Sequence, residues 1–253
     1  MSPKKQTLSA VVIAKNEEPR IAKCIAALTF ADEIIVVDNS STDKTAALAK
    51  KAGAVVKLLK ADGFAKIRNT AAEYISTDWV LYVDADEVVT SRLASEISRV
   101  INIKGSETGF EIYRKNYYLG EPWPAGEWML RLFRKDALVG WQGELHETAV
   151  IKGPVGRIKG ELLHDTHRTL AGMVEKTNEW SETEAALRFA ARHPPITWWR
   201  IIRVTLTGFW NSYIGQQGFR AGTVGWIESI YQGFSLFITY AKLWELQQRR
   251  PHE

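Results

Sequence analysis

At 253 residues the chain can bury a substantial core, as one large domain or as a domain with an appendage. A composition of 45% hydrophobic and 25% charged residues, with few Gly and Pro, excludes a disordered or fibrous chain. The single cysteine, Cys24, excludes an intrachain disulfide and fits a reducing compartment; within RIAKCIAAL it reads as a small buried helix residue. The opening MSPKKQTLSAVVIAKNEE has no sufficient apolar stretch before charges resume, so no signal peptide is expected and the cytoplasm is the default. The net charge of +4 is unevenly placed. From Arg192 onward seven Lys/Arg face three Glu, an excess equal to the whole net charge, and five of the ten tryptophans share that segment.

The first 90 residues alternate strand and helix. LSAVVIA (8–14) is predicted as a strand, then a helix in EEPRIAKCIAAL, a strand EIIVVD (33–38) and a helix over 45–52. AVVKLL (54–59), a helix over 64–74 and a strand WVLYVD (79–84) complete the series. Apolar strands separated by amphipathic helices imply a parallel sheet covered on both faces. Right-handed crossovers then bring AKNEE, DNSSTD, KADG and DADE, the polar strand ends, to one edge and one crevice. No GxGxxG or GxxxxGK[ST] is present, which excludes the dinucleotide fingerprint and the P-loop. Ser41 or Asp43 is expected to cap the helix after the second strand, while Asp38 sits where that strand ends.

From Glu107 to Ile158 the pattern changes to short strands (GFEIYRKNYY, MLRLFRK, ELHETAVI, GRIKG), with EPWPAGEW as a loop. A helix is predicted over 169–191, and His-Pro-Pro at 193–195 ends it. The reading therefore divides the chain into a core, 1–168, and a helical tail, 169–253.

VDADEV places three carboxylates within four positions of a core-quality strand. Such groups repel one another and resist leaving water, so the strand should open into a cleft that holds positive charge. The opening motif of haloacid-dehalogenase-like phosphatases has this form but needs a later acidic pair. Beyond position 90 the only aspartates are Asp136 and Asp165, far apart, which excludes that reading.

The chain resembles the family 2 glycosyltransferases of the GT-A fold, through VVIAKNEE, IIVVDNSSTDKT and DADE as an Asp-x-Asp motif. GFAKIRN (63–69), RLFRK (131–135), WQGELHE (141–147), LLHDTHRTL (162–170) and GFRAG…YAKLWE (218–245) are similar to the bacterial lipopolysaccharide-core glucosyltransferase branch. The resemblance implies an α/β, Rossmann-like GT-A core with a mostly parallel sheet, followed by a helical tail. It implies inverting transfer of a hexose from a nucleotide sugar, UDP-linked by expectation, to a lipid-linked or lipopolysaccharide-type acceptor. A divalent cation, Mg²⁺ or Mn²⁺, would stabilise the leaving diphosphate. Asp86 is the expected metal carboxylate, and His164 the histidine that maps to the family's metal ligand, with His167 as its fallback. Ala14, Asn16, Glu17 and Asp38 would hold the nucleoside, Arg68 the base or pyrophosphate, and Asp84 the ribose or a metal-bound water. Glu87 is expected to face solvent or cap the next helix. Glu147 is the expected general base and Glu144 its rival; on a strand the two point to opposite faces, and His146 on the Glu144 face would be a structural hydrogen-bonder. The alternative reading is a non-catalytic, membrane-docked nucleotide-sugar binding module of the same fold.

Segments 196–214 and 222–241 are apolar, but Arg200 and Arg203 argue against the first as a span, and length leaves the second open. Interleaved tryptophan and arginine suit a headgroup region, so the tail is expected at a membrane surface, with oligomerisation as its other use. The chain would then be peripheral on the inner face of the cytoplasmic membrane. No nucleic-acid motif accompanies the charge, so nucleic acid is not an expected partner.

Overall fold

The computed structural model describes residues 5–61, 63–103, 105–143 and 147–249. Its contacts divide the chain into two compact units: residues up to Lys115 with Glu127–His164, and Asn116–Gly126 with Asp165 onward. The second unit thus takes in an eleven-residue excursion, Asn116–Gly126, that a linear boundary does not assign to it.

In the first unit β1 (Leu8–Ala14), β2 (Glu33–Asp38), β3 (Val55–Leu58) and β4 (Trp79–Asp84) alternate with α1 (Ile21–Ala26), α2 (Thr45–Lys51) and α3 (Phe64–Ala72). β1 pairs in parallel with both β2 and β4, and β2 in parallel with β3, giving the order β3-β2-β1-β4. β1 is buried throughout, which is why every position of LSAVVIA is apolar or small. Alternation splits its side chains between two cores. Leu8, Ala10, Val12 and Ala14 pack with Ile21 and Ile25, whereas Val11 and Ile13 pack with Ile67 and Tyr82.

Further strands continue the sheet with antiparallel pairing. They are β5 (Glu87–Val89), which leads into α4 (Ser91–Val100), then β6 (Gly109–Tyr118), β8 (Glu127–Arg134) and β11 (Val155–Thr166); the two-residue β7 (Glu121–Pro122) pairs with the end of β6. The order among the described residues is β4-β8-β6-β11-β5, with β8 antiparallel to β4 and β5 antiparallel to β11. β9 (Leu138–Gln142) and β10 (Thr148–Ile151) form a separate antiparallel pair. Registers align the functional edge: Ala14 lies opposite Asp38, and Ile13 opposite Asp84. Strand order reverses about β1 and β4, the position at which open α/β sheets take ligands.

The second unit holds α5 (Leu170–Ala190), α6 (Trp198–Trp210) and α7 (Gly222–Gln248). Thr169 and Thr197 cap the first two through their hydroxyls. α6 and α7 run antiparallel and approach closely because glycine stands at the crossing. A Cβ on Gly208 would lie 2.8 Å from Leu236 and 2.9 Å from the Gln232 carbonyl, and one on Gly233 2.9 Å from the Thr205 carbonyl. Among the described residues no helix is long and apolar enough to cross a membrane, which answers the question that length left open for 222–241.

Candidate active site

β4 ends at Asp84, Ala85 and Asp86 make a turn, and Glu87 begins β5. The positive charge that this acidic run demands comes from three arginines on three other elements. Arg68 of α3 donates through Nη2 to Asp84 Oδ1 at 2.6 Å, and Arg131 of β8 through Nη2 to Asp84 Oδ2 at 2.7 Å. Glu87 Oε1 pairs with Arg114 Nη1 of β6 at 3.2 Å and with Arg131 Nη2 at 3.4 Å. Its Oε2 accepts the Asp84 backbone N–H at 2.9 Å.

Glu87 therefore corrects the expectation that it faces solvent or caps a helix: it is 0% exposed. Two arginines and one backbone N–H satisfy the carboxylate, and a group with that many donors can be buried. Arg131 and Arg114 had no assigned role in the sequence reading. The available signal was Arg131 within MLRLF, a charge in mid-strand among core-quality residues, which is the same anomaly that DADE presents.

The electrostatics follow from this arrangement. Burial alone would raise the Asp84 carboxyl, but Arg131 and then Arg68 outweigh it and hold it well below the usual carboxylate range. Glu87 moves the other way. Burial pushes it up and the Asp84 charge adds to the rise, against the pull of Arg131 and Arg114. Cys24 behaves as the core residue its pattern predicts: its thiol donates to the Asp84 carbonyl at 3.6 Å, and burial pushes it far above the ordinary thiol range.

Arg68 links two parts of the site. Besides Asp84 it donates through Nε to Glu147 Oε1 at 3.0 Å, so the expected base and the first Asp of Asp-x-Asp share one guanidinium. The guanidinium carbon lies 4.7 Å from the Trp141 ring, and the Tyr82 hydroxyl donates to the Arg68 carbonyl at 3.0 Å. The side chain is only 2% exposed, and its Nη1 is buried with no hydrogen-bond partner among the described residues. An orphaned cationic donor of this kind has the chemistry to receive an anionic oxygen. Glu144 and His146 lie outside the described residues.

At the β1 and β2 ends the loops are laced together. Asp38, almost wholly buried, accepts from the Ser41 backbone N–H at 3.1 Å and from its hydroxyl. Asn16, in the left-handed region at φ 56°, donates its N–H to Ser41 Oγ at 2.9 Å and accepts the Thr42 N–H at 2.8 Å. Glu17 donates its N–H to Thr45 Oγ1 at 2.7 Å and pairs with Arg20, while the Asn39 N–H reaches the Ala14 carbonyl at 2.8 Å. Ser41 thus braces Asp38 and does not cap α2, whereas Asp43 accepts the Thr45 N–H at the first turn. Ala14, Asn16, Glu17 and Asp38 come together at one strand edge, as the sequence predicts.

Asp86 Oδ2 and His164 Nε2 lie 3.5 Å apart, brought together because His164 pairs with Glu87 across β11 and β5. No group of three His, Cys, Asp or Glu side chains forms a metal cage among the described residues. A carboxylate and an imidazole this close can supply two of the ligands of a divalent cation. Asp84 is less suited to that task, since both of its oxygens are already taken by arginines. His167 falls in the second unit, where its Nδ1 lies 3.0 Å from both carboxylate oxygens of buried Glu228.

Comparison with known proteins follows the same direction. The family model described as glycosyl transferase family 2 matches residues 9–149. The chain is 28% identical over 252 residues to the lipopolysaccharide core biosynthesis glycosyltransferase LpsC of Rhizobium meliloti, covering 95% of this chain and 93% of that protein. It is also 28% identical to the uncharacterized glycosyltransferase RT0209 of Rickettsia typhi, over 94% of this chain and 87% of that one. Among solved structures, glucosyl-3-phosphoglycerate synthase from Mycobacterium tuberculosis, in complex with Mn²⁺, UDP and glucosyl-3-phosphoglycerate, is similar at 20% identity and a TM-score of 0.41. That match covers 53% of this chain and 58% of the synthase.

Proposed function

The chain belongs to glycosyl transferase family 2, and on that footing we propose that it moves a hexose from a UDP-linked donor to a lipid-linked or lipopolysaccharide-type acceptor, inverting the anomeric carbon. The observation that carries the reading is the Arg68 bridge, which brings Glu147 and Asp84 to one guanidinium beside the Asp86–His164 pair. The relative named for lipopolysaccharide core biosynthesis, aligned over nearly the full chain, supports the acceptor class.

In this reading Ala14, Asn16, Glu17 and Asp38 seat the nucleoside, and the Arg68 Nη1 donor meets the diphosphate. Glu147 takes the proton of the acceptor hydroxyl as its oxygen attacks the anomeric carbon opposite the leaving group. The bond from that carbon to the diphosphate oxygen breaks, and its electron pair leaves with the nucleoside diphosphate. Asp86 and His164 would hold Mg²⁺ or Mn²⁺, which when bound supplies charge neutralisation to that leaving group. Arg131 and Glu87 hold Asp84 in place, and Arg114 in turn holds Glu87. An acceptor of this class locates the reaction at a membrane, with the chain peripheral on the inner face of the cytoplasmic membrane.

Calorimetric titration of UDP-sugars with Mn²⁺ and with EDTA tests the donor side. Binding should weaken strongly without the cation in the wild type and become insensitive to it in Asp86→Asn. Equal affinity in both conditions would remove the cation from the account.

A further inference from the structure

We infer that the joint outer face of α6 and α7 is a landing surface for an anionic lipid bilayer. This deepens the proposed reading by giving the acceptor's membrane a defined contact, and it rests on observations confined to the second unit. On α6, Trp199, Ile202, Leu206 and Trp210 recur at i, i+3, i+7 and i+11, and all four are exposed. On α7, Trp226, Ile230, Phe234, Phe237 and Trp244 recur at i, i+4, i+8, i+11 and i+18, again one helix face, and all are exposed. Trp226, where the α7 stripe begins, packs against Phe209 at 5.6 Å and Tyr213 at 4.7 Å between centroids, beside the end of α6. Nine large apolar side chains are thus exposed on this one helix pair, more than scattered surface residues produce.

Charge selects the occupant. Arg200 and Arg203 stand on α6 next to the stripe; Arg200 donates through Nη1 to the Pro194 carbonyl at 3.3 Å, and neither forms an ion pair with a carboxylate among the described residues. The acids of α6 and α7 do not oppose them: Glu228 is wholly buried against His167 and Gln232, and Glu245 pairs with Arg249 at 2.7 Å. Indoles at the ends of the stripes, aliphatic and phenyl groups between them and unpaired cations at the side match a headgroup region over an acyl boundary. Among the described residues no helix is long and apolar enough to cross a membrane, so the contact inferred is with the bilayer surface.

The test is co-sedimentation of the full chain, without donor or acceptor, with vesicles of phosphatidylcholine alone or mixed with phosphatidylglycerol. Its failure is therefore separable from failure of the transfer chemistry. Wild type should bind the mixed vesicles, and binding should weaken as salt rises. Leu206→Gln with Ile230→Gln, at positions 52% and 58% exposed, should lower partitioning about tenfold or more, the scale set by losing two buried aliphatic side chains. Ile202→Gln with Phe237→Gln, on the same face, should do likewise. Arg200→Glu with Arg203→Glu should remove the preference for phosphatidylglycerol. Leu58→Gln, a still more exposed apolar position in the first unit, should change nothing. Unaltered melting temperatures would show that each variant is folded. Absence of wild-type binding, wild-type partitioning by both face variants, or a self-association that those variants abolish without vesicles would overturn the inference.

Discussion

Arg131→Met removes the guanidinium that neutralises both Asp84 and Glu87 while keeping most of the side-chain volume. Arg131 is almost wholly buried and Glu87 fully so, which leaves two carboxylates facing each other with Arg68 and Arg114 as partial compensation. Breaking a buried pair by removing one partner typically costs about 3–5 kcal/mol. The loss should depend on pH. Asp84 is held below its unfolded value of about 3.9, so the stability it draws from Arg131 is present above that pH and lost as pH falls toward the folded value. Glu87, already raised by burial, would rise further in the variant and be relieved by protonation. Both effects have one sign: the wild-type advantage should be full near neutrality and shrink on acidification through the carboxylate range. Urea unfolding at about pH 7 and about pH 4 measures it. A difference below about 1 kcal/mol that does not vary with pH would refute the argument, since it would mean that the network is solvated.

Glu147→Gln should leave donor affinity nearly unchanged while turnover falls about 10²-fold or more, read from the kcat and KM split. Arg68→Lys should cut turnover as well, because an ammonium cannot serve Asp84 and Glu147 from one planar fork; steady-state kinetics at saturating donor report it. Gly233→Val should force α6 from α7 and lower the melting temperature, since even a Cβ there meets the Thr205 carbonyl at 2.9 Å; retention of the wild-type value would show that the helices can part freely.

The parallel half of the fold was legible because each strand carries its own signal. EIIVVD and WVLYVD end at Asp38 and Asp84, where the structure ends β2 and β4. Convergence of the loops at Asn16 and Asp38 follows from parallel strands and right-handed crossovers alone. Glu87 was misread because its partners lie 27 and 44 residues away on strands whose register no local pattern states. For the same reason the sequence marked Arg68 as a site residue without revealing that it bridges Asp84 and Glu147. In the tail, the alternation of tryptophan and arginine announced amphipathic helices. Which face α6 and α7 share was set by Gly208 and Gly233, whose spacing means little until the helices are placed together.

Transfer with inversion by Glu147 leaves its record in the configuration of the product. The chain would be incubated with a UDP-hexose, Mn²⁺ and lipopolysaccharide-type acceptor, with UDP release measured alongside the anomeric configuration of the new linkage by NMR. The account predicts one UDP released per sugar transferred, a linkage of opposite configuration to the donor, and loss of both signals in Glu147→Gln. A retained configuration, or wild-type turnover in Glu147→Gln, would contradict it.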